Sequence, residues 1–179
     1  MKIMVSAGHY PTRPGACYKG FCEHDEAVLW ADRVTMLLGN IGQRVPEGIL
    51  KNKIDFIKHR NPSLAIEIHF NAAKDEHGVN VGHGCEVLYC PGSSSGKFIA
   101  THVQERLVSV MGNRDRGVKE GWYRMRKELG PDFFLVKTPC PAIVIEPEFI
   151  HFQERIQTKR NEACGAIATA IIEVLRGDV

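Results

Sequence analysis

The chain has 179 residues, 44% of them hydrophobic, which is the size of one compact domain able to bury a substantial core without disulfides. Lys and Arg number 23 against 21 Asp and Glu, and a net charge of +2 argues against a nucleic-acid binder that works by charge. No apolar run approaches the roughly 18 residues of a membrane span, and the apolar stretch at Met1–Val5 breaks too early to supply the h-region of a signal peptide.

Residues 2–7 form an apolar run ending at Gly8-His9, the pattern of a buried strand opening into a loop. The loop passes Pro11, Pro14, Gly15 and Gly20 to reach Glu23. Ala27, Val28, Ala31, Val34, Leu37, Leu38 and Ile41 then recur at three- and four-residue steps, which predicts an amphipathic helix with Glu23 in its first turn. A short strand is expected over 43–46 and a second helix over 49–58, stopped by Asn61-Pro62.

Residues 64–70 read as a strand, followed by a polar loop with Asn71, Lys74 and Asp75, and 85–90 as another strand. A helix is expected over 98–111, then an irregular charged stretch over 112–130 around Arg116-Gly117-Val118-Lys119. Residues 133–136 and 142–145 read as two strands, and 160–176 as a helix. Strands alternating with helices predict a three-layer α/β domain.

Cysteines stand at positions 17, 22, 85, 90, 140 and 164, and a chain of this length without a visible signal peptide is expected to keep them reduced. Cys85 and Cys90 lie on one expected strand and would point to opposite faces, which argues against a four-cysteine metal site.

His9 follows the first expected strand, His69 lies at the end of the third, and Glu146 follows the apolar run 142–145. Polar residues at the ends of neighbouring strands in an α/β sheet converge on one crevice, which Glu23 can join from its helix start. Two histidines and a carboxylate suit catalytic zinc, because they leave a tetrahedral position open. Such wide spacing also arises by chance in a chain with eight histidines, so packed or solvated polar residues explain the same pattern. Glu146 resists that explanation best, since a carboxylate at a core boundary is costly unless used or paired.

Six segments in order carry a resemblance: Ala-Gly-His-Tyr at 7–10, Glu23 opening a helix, Ile-His-Phe-Asn-Ala at 68–72, Glu-Val-Leu-Tyr at 86–89, Arg-Gly-Val-Lys at 116–119, and Pro-Ala-Ile-Val-Ile-Glu at 141–146. Together they resemble the type 3 N-acetylmuramoyl-L-alanine amidases over nearly the whole chain. The resemblance implies a three-layer α/β sandwich, a mixed and mostly parallel sheet of about six strands with helices on both faces. It implies one zinc ion held by His9, Glu23 and His69, Glu146 as catalytic acid and base, and peptidoglycan as substrate. The implied reaction is hydrolysis of the amide between N-acetylmuramic acid and L-alanine. Residues 1–179 are then expected to form a single catalytic domain without a separate wall-binding module, made in the cytoplasm and acting on the cell wall after release of the endolysin kind or as part of a longer protein. Neither nucleic acid nor membrane is an expected partner.

The chain departs from the family's commonest pattern at Glu67, where a small residue often precedes Ile-His; strand residues two apart share a face, so Glu67 is a candidate to orient the His69 imidazole, or else a solvated or substrate-side carboxylate. Arg116 and Lys119 are candidates to meet stem-peptide carboxylates or a developing oxyanion, and Asn71 to hydrogen-bond substrate. Each has a plainer alternative as a solvated basic loop or a loop-capping asparagine. Glu26 and Glu148 compete by position with Glu23 and Glu146, and motif position favours the latter pair. His24, His59, His77, His83, His102 and His151 are expected to be surface or packing residues. The rival functions are a zinc peptidase or deacetylase on another amide, a wall-binding module without catalysis, and a thiol hydrolase using Cys85 or Cys140.

Overall fold

The computed structural model describes residues 1–122 and 133–179. In chain order its elements are β1 (Ile3–Ala7), the hairpin strands β2 (Cys17–Tyr18) and β3 (Phe21–Cys22), α1 (Glu23–Leu37), β4 (Gly42–Arg44), α2 (Leu50–Lys58), β5 (Leu64–Ile68), β6 (Cys85–Tyr89), α3 (Ser94–Met111), β7 (Asp115–Glu120), α4 (Phe133–Lys137), β8 (Ala142–Glu146) and α5 (Gln153–Arg176). No helix among the described residues is long and apolar enough to cross a membrane.

Alternation along the central strands decides the layering, because successive side chains leave a strand on opposite faces. Ile3, Val5 and Ala7 of β1, Ile66 and Ile68 of β5, and Ile143 and Ile145 of β8 enter one buried cluster, whereas Met4, Ala65, Ala142 and Val144 enter a second. A sheet apolar on both faces must be covered twice. Trp30 and Val34 of α1, Val103 and Leu107 of α3, and Ile167 and Ile171 of α5 cover the first face, and Ile57 of α2 with Phe134 and Leu135 of α4 cover the second. The six-stranded sheet runs β4-β1-β5-β8-β6-β7, with β6 antiparallel to β8 and every other pairing parallel. This is the expected mixed, mostly parallel three-layer sandwich.

The structure corrects the sequence reading at three places. Residues 133–136, expected as a strand, lie in helix α4; a short apolar run fits a buried strand or one buried helical turn equally, and packing against Met4, Val45 and Leu88 decides for the helix. The stretch 112–130, expected to be irregular, contains edge strand β7 at Asp115–Glu120, while its residues 123–130 lie outside the described ones. Charged side chains hide β7 in the sequence, and they are also what protects an edge strand from pairing with another chain.

The third correction concerns Cys17 and Cys22, which are joined in a disulfide rather than reduced. Lys19 and Gly20 both take positive φ, 50° and 82°, and this two-residue turn sets Cys17 directly opposite Cys22 in the hairpin. Cys85, Cys90, Cys140 and Cys164 are free thiols. Two helices also begin earlier than expected. Helix α3 starts at Ser94 because the Ser93 hydroxyl accepts from the Gly96 amide at 3.0 Å, and α5 starts at Gln153, ahead of its apolar repeat.

Candidate metal centre

The carboxyl ends of β1 and β5 are adjacent, since Ala7 pairs with Ile68, and the residues just beyond them face one another. The Gly8 amide donates to the Ile68 carbonyl at 2.7 Å, after which the chain turns sharply with His9 at φ 58°. A non-glycine residue in that region costs on the order of 1 kcal/mol and persists only where its surroundings hold it. Side chains bind three successive carbonyls here: Lys53 Nζ donates to Ala7 and His9, and His24 Nδ1 lies 2.8 Å from that of Gly8. Gly8 is required on steric grounds, because a Cβ there would stand 2.5 Å from the His69 ring.

Glu23 opens α1 and is buried at 4% exposure. Its carboxylate bridges both imidazoles, with Oε2 at 3.0 Å from His9 Nε2 and Oε1 at 2.8 Å from His69 Nδ1, while the amides of Ala16 and Phe70 donate to it at 3.1 Å each. Burial alone would raise the Glu23 pKa, but hydrogen bonds and charge from His69 and His9 outweigh it and hold the carboxyl well below its usual range. His69 answers in the opposite sense: burial alone would lower it, yet Glu23 and Glu67 raise it well above the ordinary histidine value. One nitrogen or oxygen each from His9, Glu23 and His69 lie within 4.8 Å of one another.

Glu67 stands behind His69, its Oε2 3.1 Å from Nε2, as expected of a strand residue two positions away. It is not solvated: it is 5% exposed, and Ser6 Oγ donates to its other oxygen at 3.1 Å. Burial would raise its pKa, but His69, Lys53 and Ser6 together lower it. His69 is therefore held on both nitrogens, on Nδ1 by α1 and on Nε2 by β5.

Glu146 ends β8 beside this group, since the His69 amide donates to the Ile145 carbonyl at 2.9 Å. Burial, opposed only in part by the charge of His69 and reinforced by Glu86 and Glu23, pushes its carboxyl up to about 7. Its two rivals by position are committed elsewhere. Glu26 accepts from Trp30 Nε1 at 2.9 Å and from both ends of the Arg160 fork, at 2.7 and 2.9 Å. Glu148 accepts from the Gly84 and Phe149 amides, Asn113 and Arg155.

Glu86, which the sequence marks only as the first residue of the Glu-Val-Leu-Tyr segment, without a role of its own, gathers the remaining candidates. It pairs with Glu146 across β6 and β8 and is 2% exposed. Asn71 Nδ2 donates to its Oε1 at 2.5 Å, Arg116 Nη2 donates to the same oxygen at 3.1 Å, and Lys119 Nζ donates to Oε2. Arg116 also lies over the Phe149 ring, 4.9 Å from its centroid. These residues thus form a half-buried polar cluster rather than a solvated loop, although Asn71 caps its loop as well, accepting from the Ala72 amide at 2.9 Å. His24, only 3% exposed, is the one of the six remaining histidines that braces the centre. Burial pushes the Cys85 and Cys140 thiols up to about 12 and about 11, so neither offers a ready thiolate.

Comparison with known proteins bears on the family and the fold. A family model described as N-acetylmuramoyl-L-alanine amidase matches residues 3–176. The fold is shared with an N-acetylmuramoyl-L-alanine amidase from Clostridium difficile 630, at 22% identity and a TM-score of 0.83 over 98% of this chain and 96% of that one. It is shared equally with the amidase AmiC2 of Nostoc punctiforme, at 22% identity and a TM-score of 0.79 over 98% and 97%. The catalytic domain of the CD27L endolysin targeting Clostridia difficile matches at 25% identity and a TM-score of 0.68 over 97% and 95%. No curated protein matches the sequence.

Proposed function

The chain belongs to the N-acetylmuramoyl-L-alanine amidase family, and we propose that His9, Glu23 and His69 hold its zinc ion while Glu146 carries the proton of the reaction. The donor set supports this reading: two imidazoles and a carboxylate converge within 4.8 Å, on backbone that tolerates no Cβ at Gly8 or at Gly15, where one would stand 2.5 Å from Glu23 and His9. Such a set fits zinc and leaves an open coordination position. When bound there, zinc supplies Lewis acidity that polarises a carbonyl and acidifies water to a pKa of about 7.

The chain's own residues then account for the rest. A carboxyl with a pKa near 7 is matched to proton transfer at neutral pH, so Glu146 takes the proton of the attacking water and returns it to the departing L-alanine nitrogen. Arg116, Lys119 and Asn71 share the one negative charge of Glu86, which leaves a net positive charge beside Glu146 for carboxylates of the stem peptide. We assign the substrate as peptidoglycan, the place of action as the cell wall, and residues 1–179 as a single catalytic unit.

The convergence of His9, Glu23 and His69 carries the proposal. Purified protein is added to peptidoglycan with and without a zinc chelator, and new amino termini are labelled in the soluble products. L-alanine termini that vanish with chelator and return with zinc are expected. Cuts elsewhere in the peptide, as a zinc peptidase would make, or release that ignores the chelator would overturn it.

A further inference from the structure

We infer that Lys53 is a positioning residue for the metal centre, tying the backbone that carries His9 to the carboxylate that holds His69. The inference rests on the reading of His9, Glu23 and His69 as metal ligands and adds a residue that meets His9 only at its backbone carbonyl and none of the three ligand side chains.

Lys53 lies on α2, whose apolar side packs on the sheet through Ile57, yet Lys53 itself is 3% exposed. A buried ammonium needs partners for its three protons, because it has donors and no acceptor. It finds them all at this centre. Nζ donates to the Ala7 carbonyl, donates to the His9 carbonyl at 2.6 Å, and stands 3.6 Å from Glu67 Oε1. One cation therefore clamps the turn in which His9 holds its φ of 58°, and the same cation faces the carboxylate whose other oxygen meets His69 Nε2 at 3.1 Å.

The consequence for His69 is a fixed ring. Glu67 Oε2, on the carboxylate that faces Lys53, meets Nε2 at 3.1 Å, which leaves Nδ1 as the nitrogen presented toward Glu23. For His9 the consequence is a fixed backbone, since without the ammonium two adjacent-turn carbonyls lose their donor and the strained residue loses its clamp. Alternation places Glu67 on the α2 side of the sheet, and the spacing of α2 brings Lys53 to meet it, so one contact across two layers orients both imidazoles.

The test is zinc affinity of the full chain, measured by competition with a chromophoric chelator, alongside turnover at saturating zinc. Wild type should bind zinc, and His69→Ala should lose it. Lys53→Met should weaken zinc binding by about 10- to 100-fold, the usual cost of removing a group that orients a ligand, with turnover largely restored at saturating zinc. Lys53→Arg, which keeps a cation, should conserve most of the affinity, and Lys53→Met/Glu67→Gln should be no weaker than Lys53→Met. A folded Lys53→Met protein with wild-type zinc affinity overturns the inference alone. If Lys53→Met does not fold because Glu67 is left buried without its cation, the double variant decides, and wild-type affinity there overturns the inference too. Absence of zinc binding in wild type, or its persistence in His69→Ala, removes the metal-centre reading and this inference together.

Discussion

The two halves of the site are built differently. On the β1–β5 side, in the middle of the sheet, the holds are dense: three consecutive carbonyls from Ala7 to His9 receive side-chain bonds, and His69 is engaged at both ring nitrogens. On the β6–β7 side, at the sheet edge, Arg116 and Lys119 keep 26% and 32% of their side chains exposed and share a single buried partner, Glu86. The first arrangement suits a metal, whose ligands must not move. The second suits a charged, flexible polymer, whose carboxylates a partly exposed arginine can meet without rebuilding the core. Glu146 lies on the boundary, on β8 between the two, and it inherits its dryness from the centre and its neighbouring charges from the edge.

The sharpest way to break this comparison is at that boundary. Glu146→Gln keeps the size of the side chain and removes the proposed proton carrier, so kcat should fall by about 100- to 10,000-fold, the usual worth of general acid–base catalysis. Zinc content should stay at the wild-type level, because Glu146 makes no hydrogen bond to the ligand set. Turnover on peptidoglycan and zinc analysis of the purified variant check both parts. Near wild-type turnover would move the proton to another group, and lost zinc would make Glu146 part of the metal half.

A smaller effect sharpens the same boundary through pH. In metal-free protein, Glu146 has a folded pKa of about 7 against an ordinary value of 4.5, so between those values the folded state holds a proton that the unfolded state has released. Stability therefore falls as pH rises through that window, by at most about 1.4 kcal/mol per pH unit for one group. His69 acts in the same direction: its folded pKa is raised, so its contribution is complete below about 6.5 and is lost as pH rises through the folded value. Glu23 and Glu67, with lowered pKa values, contribute above 4.5 and do not offset the fall. Zinc needs the imidazoles neutral, so its stabilisation should grow over the same range. Melting curves of metal-free and zinc-loaded protein from pH 5 to pH 8 should diverge, with about 2–4 °C for each kcal/mol. A metal-free curve flat with pH would mean that water screens the half-buried Glu146 and its carboxyl is not raised.

The same division separates what was legible in the sequence from what was not. His9, Glu23, His69 and Glu146 each stand where a polar residue meets the end or start of a patterned element, so the strand and helix patterns that place the fold also place them. Lys53 and Glu86 sit inside elements, where a charge reads as a solvated face, and only the packing of α2 on the sheet and the pairing of β6 with β8 show that they are buried. Strand β7 has one strongly apolar residue, Val118, and no alternation to detect. The Cys17–Cys22 bond depended on a two-residue turn at Lys19-Gly20, and Lys at a left-handed position is a weak turn signal.

The smallest expected effect lies on the edge side, and it separates Arg116 from Lys119. Both donate to Glu86, but Arg116 also lies over Phe149, 4.9 Å from the ring centroid, a second hold that Lys119 is not given. Arg116→Ala should therefore raise KM by about tenfold, equivalent to about 1.4 kcal/mol, with kcat little changed, because a carboxylate grip is felt equally in the ground and transition states. Lys119→Ala should do less, since Arg116 remains to neutralise Glu86. Arg116→Lys should behave nearly as Arg116→Ala, as a lysine keeps the charge but loses the planar fork that meets a carboxylate with two bonds. Kinetics on soluble muropeptides at fixed zinc separate these outcomes. If kcat falls instead while KM holds, Arg116 stabilises charge that develops only during reaction, and the edge of the sheet is as much a part of the catalytic machinery as its centre.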